Sequence, residues 1–215
     1  YPQLAEKFFK LDHQGVVDYE QNSETSIAGM ARADGVSVWE KTYEILLQDD
    51  GHALLYFPVF NYTEMNYDNV YTMLTHPDAI PGLSDGGAHV GTICDASFPT
   101  YLLTDWARDR AKKNRSSIEL SRAIQMLTAD GADYLGLQDR GRLQTGLKAD
   151  INIIEFDQLN LCVPKMVQDL PAGGQRLLQP VNGYKAVFVS GEQVVANDEV
   201  LDARPGKLVR MRAAS

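Results

Sequence analysis

Residues 53–87, ALLYFPVFNYTEMNYDNVYTMLTHPDAIPGLSDGG, are the stretch of sequence that decides the fold class. Residues 53–60 form a nearly continuous apolar run, which is typical of a strand buried on both faces. Residues 66–75 repeat apolar side chains at helical spacing, and residues 79–84 form a second short strand that ends at Asp85. Strand, helix and strand in succession predict a parallel α/β sheet. We therefore expect the two strands to pair in parallel through a right-handed crossover.

Further helices flank this unit. A capping box at residues 37–40 starts one helix before it. The apolar residues of that helix fall on one helical face: Trp39, Tyr43, Leu46 and Leu47. Residues 99–110 form a second helix, and a capping box at residues 116–119 starts a third, which runs to about residue 127.

The pattern changes beyond residue 140, where turn signals replace helical periods. Residues 151–156 and 186–189 are short β-rich runs, and residues 190–192 have the composition of a tight hairpin turn. We therefore predict an α/β part over residues 1–140 and a small β-rich part over residues 141–215.

Composition excludes several classes of protein. The 215 residues suit one or two domains, and 44% hydrophobic with 23% charged residues is typical of a soluble globular chain. A net charge of −9 argues against binding to nucleic acid. No apolar run approaches the roughly 20 residues that span a bilayer, and no secretion signal is visible. The two cysteines, Cys94 and Cys162, are too few for a disulfide scaffold and predict reduced thiols in the cytoplasm.

The turn at residues 83–89, Leu-Ser-Asp-Gly-Gly-Ala-His, is the strongest candidate for chemistry. A carboxylate at the carboxyl end of a parallel strand projects into the crevice where α/β enzymes bind ligands, so Asp85 is a candidate acid/base or metal ligand. Gly86 and Gly87 allow a substrate to approach the backbone closely, and His89 could share the same pocket. The alternative is that Asp85 only caps the turn through an Asx-type hydrogen bond.

Residues 82–90 together with residues 94–101 resemble the amidohydrolase superfamily, and most closely its N-acyl-D-amino-acid deacylases, or D-aminoacylases. Residues 139–151, DRGRLQTGLKADI, are similar to the segment by which amidohydrolases return from their barrel to a small β domain. Residues 190–194 are similar to the last hairpin of that domain. Residues 169–174, DLPAGG, resemble the deacylase-like branch in particular.

The resemblance implies the carboxyl-terminal portion of a metal-dependent hydrolase (β/α)8 (TIM) barrel, followed by a small β-rich (β-sandwich) domain. It also implies that Asp85 takes a proton from metal-activated water, passes it to the leaving amine and contacts the metal. Gly86, Gly87 and His89 would bind substrate. The implied cofactor is Zn²⁺ in a full-length parent. The histidine pairs that ligate it in the family do not occur in this sequence, so we expect the chain alone to bind no zinc and to be inactive.

Three functions stay open at this point. The first is hydrolysis of a linear amide, with a small-molecule N-acyl amino acid as substrate. The second is hydrolysis of a cyclic amide, as in hydantoinases and dihydroorotases. The third is a non-catalytic assembly module. The chain begins with Tyr1 rather than Met, which favours a fragment. A partial barrel exposes strand edges and apolar faces, so we also expect a homo-oligomer.

Overall fold

The computed structural model of this protein describes residues 2–13, 15–82, 84–87 and 89–210. Its α-helices are α1 (Ile27–Asp34), α2 (Val38–Leu46), α3 (Asp68–Leu74), α4 (Phe98–Tyr101), α5 (Arg110–Lys112), α6 (Leu120–Leu127) and α7 (Ala129–Tyr134). A π-helical segment, Leu102–Asp109, joins α4 to α5. Short 3-10 helices occur at Pro2–Glu6, Asp49–Gly51, Asp95–Ser97 and Pro171–Gly173.

The strands of the first part are short: β1 (Phe9–Lys10), β2 (Asp12–His13), β3 (Val16–Val17) and β4 (Leu55–Tyr56). The strands of the second part are β5 (Ile151–Ile154), β6 (Asn160–Leu161), β7 (Lys165–Leu170), β8 (Gly174–Leu178), β9 (Val181–Asn182), β10 (Tyr184–Val189), β11 (Glu192–Ala196) and β12 (Glu199–Val200). One four-stranded sheet has the order β12-β11-β10-β5, and the remaining strands form the pairs β1-β4, β2-β3, β6-β9 and β7-β8. Every strand pair among the described residues is antiparallel.

The predicted parallel pair of strands is wrong in the part that the structure describes. Only Leu55–Tyr56 of the first segment is a strand, and β4 pairs antiparallel with β1. Residues 79–82 and 84 carry no strand, and residue 83 lies outside the described residues. Pro58 and Pro81 have no backbone N–H to donate to a neighbouring strand, which disfavours strand pairing in both segments. The TIM barrel itself stays a prediction.

The predicted helices are present, but residues 102–109 of the second one are π-helical. Ser37 caps α2 as expected, since its Oγ accepts a hydrogen bond from the Glu40 N–H at 3.1 Å. The cap of α6 is Glu119 rather than a serine of the preceding capping box. The apolar face of α2 does not pack on the core, because Trp39 is 64% exposed and Tyr43 is 66% exposed. Ile45 and Lys41 are the residues of α2 that the fold buries.

The hairpin predicted in the β-rich part is confirmed. β10 and β11 pair directly, and Ser190 and Gly191 between them have φ values of 54° and 83°. Two successive positive φ values are typical of the turns that match the twist of a two-stranded ribbon.

The main hydrophobic core joins the helical and the β-rich parts. Its buried members are Leu102, Leu103, Trp106, Ile118, Ala123, Met126 and Leu159. Ile154, Phe156 and Tyr184 of the β-rich part pack against this cluster. The hydrophobic core therefore extends across residue 140. The domain boundary that we place near this residue stays a prediction. A smaller cluster of Ala5, Ile27, Ala28 and Ile45 lies between the first 3-10 helix, α1 and α2.

A buried ion pair between Glu20 and Arg110 joins the amino-terminal segment to helix α5. The Arg110 side chain is fully buried and donates a hydrogen bond to Glu20, whose side chain is 1% exposed. Asp68 accepts a second hydrogen bond from Arg110 at 3.1 Å, and Arg115 lies 2.8 Å from Glu20. The Arg110 guanidinium also lies over the Trp106 ring, with its Cζ 4.5 Å from the ring centroid. None of the described helices is long and apolar enough to cross a membrane.

Candidate functional site

The turn that carries Asp85 packs tightly against the 3-10 helix Asp95–Ser97. Ser84 Oγ accepts a hydrogen bond from the Gly86 N–H at 3.3 Å. A Cβ at Gly86 would lie 3.0 Å from Ala96 Cβ and 3.1 Å from Ala96 N, so only glycine fits without a shift. Gly87 has a φ of 113°, which L side chains rarely adopt. The two glycines therefore have specific structural reasons to be glycine.

Asp85 lies exposed at this turn, beside a second carboxylate. Burial raises the pKa of Asp95, and the nearby charge of Asp85 raises it further. Ser84 rather than Asp85 accepts the hydrogen bond within the turn, and no hydrogen bond of the Asp85 carboxylate occurs between the described residues. The Asx-cap alternative thus gains no support from this geometry, and the proton-transfer and metal-binding roles of Asp85 stay predictions.

His89 shapes the next turn through its backbone. Its φ is 50°, and its carbonyl oxygen accepts hydrogen bonds from the N–H groups of Thr92 at 2.8 Å and Ile93 at 3.0 Å. The residue is exposed, and no hydrogen bond joins its imidazole to Asp85 in the described structure. Its role in substrate binding stays a prediction.

A cavity of about 380 Å³ lies between the Asp85 turn and strand β8. We call it the glycine cavity; its lining includes Gly86, Gly87, Cys94, Ser97, Arg176 and Gln179. The opposite wall is anchored just after this turn, because the Leu177 N–H donates a hydrogen bond to the Val90 carbonyl oxygen at 2.7 Å. Of the predicted site residues, Gly86 and Gly87 line the glycine cavity, whereas Asp85 and His89 do not.

Gln179 holds three segments together at the edge of the glycine cavity. Ser97 Oγ donates to Gln179 Oε1 at 2.5 Å. Gln179 Nε2 donates to the Tyr19 hydroxyl at 2.8 Å and to the Cys162 carbonyl oxygen at 3.1 Å. All the polar atoms of this amide are therefore used in fixing the wall.

Cys94 lines the cavity as a protonated thiol. Burial, together with the neighbouring carboxylate of Asp95, raises the pKa of Cys94 to about 11. Because the thiolate is the reactive form of cysteine, this environment does not favour a nucleophile at neutral pH. Cys94 packs here as a small apolar side chain.

The hairpin of β7 and β8 contributes a site residue that our sequence analysis missed. Arg176 lies in the cavity wall and forms a two-pronged ion pair with Asp169, with Nε–Oδ1 at 2.8 Å and Nη2–Oδ2 at 2.7 Å. Ala172 and Gly173 form the hairpin tip with φ values of 58° and 74°. The available signal was the DLPAGG stretch itself, which resembles the deacylase-like branch and ends just before Arg176.

The described residues do not by themselves fit the zinc ion that the resemblance implies. Zinc sites in proteins generally use three or four protein ligands. No group of three or more His, Cys, Asp or Glu side chains that could hold a metal occurs in the part of the chain that the structure describes. We therefore derive no chemical step through a metal.

Comparison with known proteins shows the family of this chain. The model of a family described as "Amidohydrolase family" matches residues 7–195. A 5-methylthioadenosine/S-adenosylhomocysteine deaminase of Pelotomaculum thermopropionicum is 34% identical over 87 residues, which are 40% of this chain and 19% of that relative. No solved structure matches the chain. Because the family match spans most of the sequence, this protein belongs to the amidohydrolase family.

Proposed function

We propose that this chain supplies Asp85 as the proton-transfer residue of a metal-dependent amidohydrolase that cleaves a linear amide, of the N-acyl-D-amino-acid deacylase type. Membership of the amidohydrolase family supports hydrolysis of a carbon–nitrogen bond. The observation that carries the proposal is the position of Asp85. It is an exposed carboxylate that directly precedes Gly86 and Gly87, and these two glycines line the glycine cavity.

The chemistry assigned to Asp85 is general acid–base catalysis. As water attacks the amide carbon, the carboxylate accepts a proton from it and then donates that proton to the leaving nitrogen as the carbon–nitrogen bond breaks. A carboxylate can do this only where a substrate can reach it, which the exposure of Asp85 permits. Positioned acid–base groups typically contribute 10²- to 10⁴-fold to a rate.

The glycine cavity supports a small-molecule substrate. Its volume of about 380 Å³ lies within the range of small-ligand pockets, and its lining is mixed, with apolar residues such as Ile93 and Leu177 beside polar ones such as Ser97. This composition suits an acylated amino acid, which has an apolar acyl part and polar amide and carboxyl groups.

A second candidate is a hydrolytic deaminase. The relative from Pelotomaculum thermopropionicum is named as a deaminase of 5-methylthioadenosine and S-adenosylhomocysteine. Hydrolytic deamination also breaks a carbon–nitrogen bond, with the oxygen of water added to the carbon and ammonia released, so Asp85 would have the same role. The two candidates differ in the substrate, and a substrate panel separates them.

The test uses the protein encoded by the complete reading frame that contains this chain. Its metal content is measured, and it is assayed with N-acetyl-D-leucine, N-acetyl-L-leucine, 5-methylthioadenosine and hydantoin. We expect release of D-leucine and bound zinc. Release of ammonia from 5-methylthioadenosine alone would favour the deaminase, and failure to hydrolyse any of the four would count against both candidates.

We also propose a cytoplasmic location and a homo-oligomeric state. Cys94 and Cys162 are both free thiols, as in proteins of reducing compartments. The exposed apolar side chains of Trp39, Tyr43 and Leu47 support self-association.

A further inference from the structure

We infer that residues 204–210 of one copy of this chain dock on the exposed apolar face of helix α2 in a second copy. The α2 face consists of the four exposed apolar side chains of that helix: Trp39, Tyr43, Leu46 and Leu47. We call residues 204–210 the basic segment. The inference rests on the proposed homo-oligomeric state and deepens it, because it names the segment that makes the contact.

The α2 face has no cover in the part of the chain that the structure describes. Its four side chains are 41–66% exposed, and their spacing of three and four residues places them side by side on the helix. Lys41 and Ile45 are the buried residues of α2, and Ile45 packs with Ile27 and Ala28 of α1. An exposed apolar stripe of this kind marks a surface that another protein segment covers.

Acidic side chains form a rim at the α2 face. Glu40 and Glu44 are exposed on the helix itself, and Asp49 and Asp50 are exposed just beyond its last turn. Glu44 is paired with Lys41, whereas the other three form no ion pair with another described residue. The carboxyl end of a helix also carries a partial negative charge, which no basic residue offsets in the last turn of α2. A segment that fits this face is therefore cationic as well as apolar.

The basic segment has the complementary composition. It carries Arg204, Lys207 and Arg210 together with Leu208 and Val209, and it contains no carboxylate side chain. Leu208 is 79% exposed and Val209 is 46% exposed, and the segment forms no helix or strand. Its three cations form no ion pair with another described residue. Two apolar side chains between two cations thus match an apolar face with an acidic rim.

The lengths of the two surfaces agree. Helix α2 has nine residues and is therefore about 14 Å long. Seven residues of extended chain span about 23 Å, so the basic segment can cross the whole helix. Pro205 favours the extended form, because proline has no N–H for a helical hydrogen bond and biases the residue before it away from helix.

The two surfaces belong to different parts of one chain. Helix α2 packs in the smaller core cluster, whose members all precede residue 56. The basic segment follows β12, and the Leu201 N–H at its base donates a hydrogen bond to the Val194 carbonyl oxygen of β11 at 2.8 Å. The side-chain hydrogen bonds of Arg204 stay local, to the carbonyl oxygens of Leu201 and Ala203. Since each copy carries both surfaces, two copies can exchange basic segments reciprocally and close as a dimer.

Charge reversal tests the contact in the complete protein, and sedimentation equilibrium measures the Kd of the dimer. Lys207→Glu combined with Arg210→Glu, the segment variant, should raise this Kd by about 10- to 100-fold at low salt, because like charges then face each other. Lys7→Glu combined with Lys165→Glu is the matched control. It makes the same change in net charge at two other exposed lysines and should leave the Kd near that of the wild type.

The outcomes of this measurement separate the inference from the proposals on which it rests. An unchanged Kd in the segment variant would overturn the docking of the basic segment and leave the homo-oligomer standing. A wild-type protein that stays monomeric would overturn both. Neither result bears on the proposed hydrolysis, since the measurement reads mass and not turnover.

A mixing experiment shows which copy provides the segment. Glu40→Lys combined with Asp50→Lys, the rim variant, should by itself dimerise as weakly as the segment variant. An equimolar mixture of the two variants should regain the dimer, because each basic or reversed segment then meets a rim of opposite charge on the other copy. A mixture of folded variants that stays monomeric would overturn the inference. Melting temperatures confirm folding, and the result for the segment variant does not depend on the rim variant.

Discussion

The side chains of Arg110 and Glu20 form an ion pair that is almost completely buried. Burial acts to raise the pKa of Glu20, but hydrogen bonds from the Tyr67 N–H and from Arg110 outweigh it and leave the pKa below its ordinary value. The pair therefore stays ionised inside the protein. A buried charge is tolerated only while its partners are present.

We expect Arg110→Met to lower the free energy of unfolding by about 3 to 5 kcal/mol, because it leaves the Glu20 carboxylate buried with fewer partners. Urea unfolding measures the change. Arg32→Met is the matched control, since the Arg32–Glu6 pair is exposed and should have no measurable effect. Equal stabilities of the two variants would contradict this reading of the buried pair.

Asp85 gives the prediction that bears on activity. In the complete protein, Asp85→Asn should keep the fold but lower kcat by about 10²-fold or more, as expected for loss of a general acid–base group. The matched control is Asp202→Asn, since Asp202 is also exposed and lies outside the turn. Wild-type turnover in Asp85→Asn would show that Asp85 is not the proton-transfer residue.

Asp105 gives a pH-dependent prediction. Burial raises the pKa of Asp105 to about 6, whereas an unfolded chain has a value near 3.8. Between these values the folded protein retains a proton that the unfolded chain has lost, so this group's contribution to stability falls as pH rises from about 4 to 6. The loss is about 3 kcal/mol and is complete above pH 6.

Asparagine cannot ionise, so Asp105→Asn should remove this pH-dependent loss. Denaturant unfolding at pH 4 and pH 7 should show that the variant gains stability relative to wild type at the higher pH. The exposed Asp78→Asn variant should follow the wild type at both values. A constant difference between Asp105→Asn and wild type across this range would contradict the prediction.

Elements of secondary structure show where local propensity and packing disagree. Helix α1 is capped at its start by Ser26, whose Oγ accepts a hydrogen bond from the Gly29 N–H at 3.0 Å, and at its end by Gly35, with a φ of 69°. Gly29 lies inside the helix, where alanine has the better propensity. A Cβ at Gly29 would lie 2.2 Å from the Ser23 carbonyl oxygen, so the glycine permits close packing of the preceding loop.

We therefore expect Gly29→Ala to lower the free energy of unfolding by about 2 kcal/mol, since overpacking outweighs the helix propensity of alanine. Gly131→Ala in α7 is the control, because nothing lies within 4 Å of a Cβ there. That variant should gain up to about 1 kcal/mol. Thermal unfolding of both variants checks the opposite signs, and a gain in stability for Gly29→Ala would be inconsistent with the packing argument.

The whole molecule exposes more surface than a compact monomer of its size. Its accessible area is 14087 Å², whereas about 9,900 Å² is expected for a folded monomer of 23.9 kDa. The excess is larger than the roughly 800 Å² per partner of a standard interface. Part of it is apolar: the α2 face comprises Trp39, Tyr43, Leu46 and Leu47, all exposed. We propose that a second copy of the chain covers this face.

Light scattering at micromolar concentration should accordingly give a mass of at least a dimer. Trp39→Glu combined with Leu47→Glu should shift the protein towards monomer, because both changes place a charge on the α2 face. Tyr134→Glu is the control, since Tyr134 is 77% exposed on a different helix. A monomeric wild type would count against self-association.

Local chemistry is what the sequence by itself determined about this protein. Three features depend on residues only a few positions apart, so they can be recognised in the sequence alone. They are the cap at Ser37, the hairpin turn at Ser190 and Gly191, and the amidohydrolase motifs around Asp85. The glycines beside Asp85 were predicted as site residues for the same reason, and they lie in the cavity wall.

Contacts between distant segments were decided only by the tertiary structure. The antiparallel pairing of β4 with β1, the exposure of Trp39 and Tyr43, and the place of Arg176 in the cavity wall do not follow from periodicity. An apolar stripe shows that a face can be buried, but its burial requires a partner surface, which the sequence pattern does not specify. An arginine likewise becomes part of a site only when folding brings its strand against a turn far away in the chain.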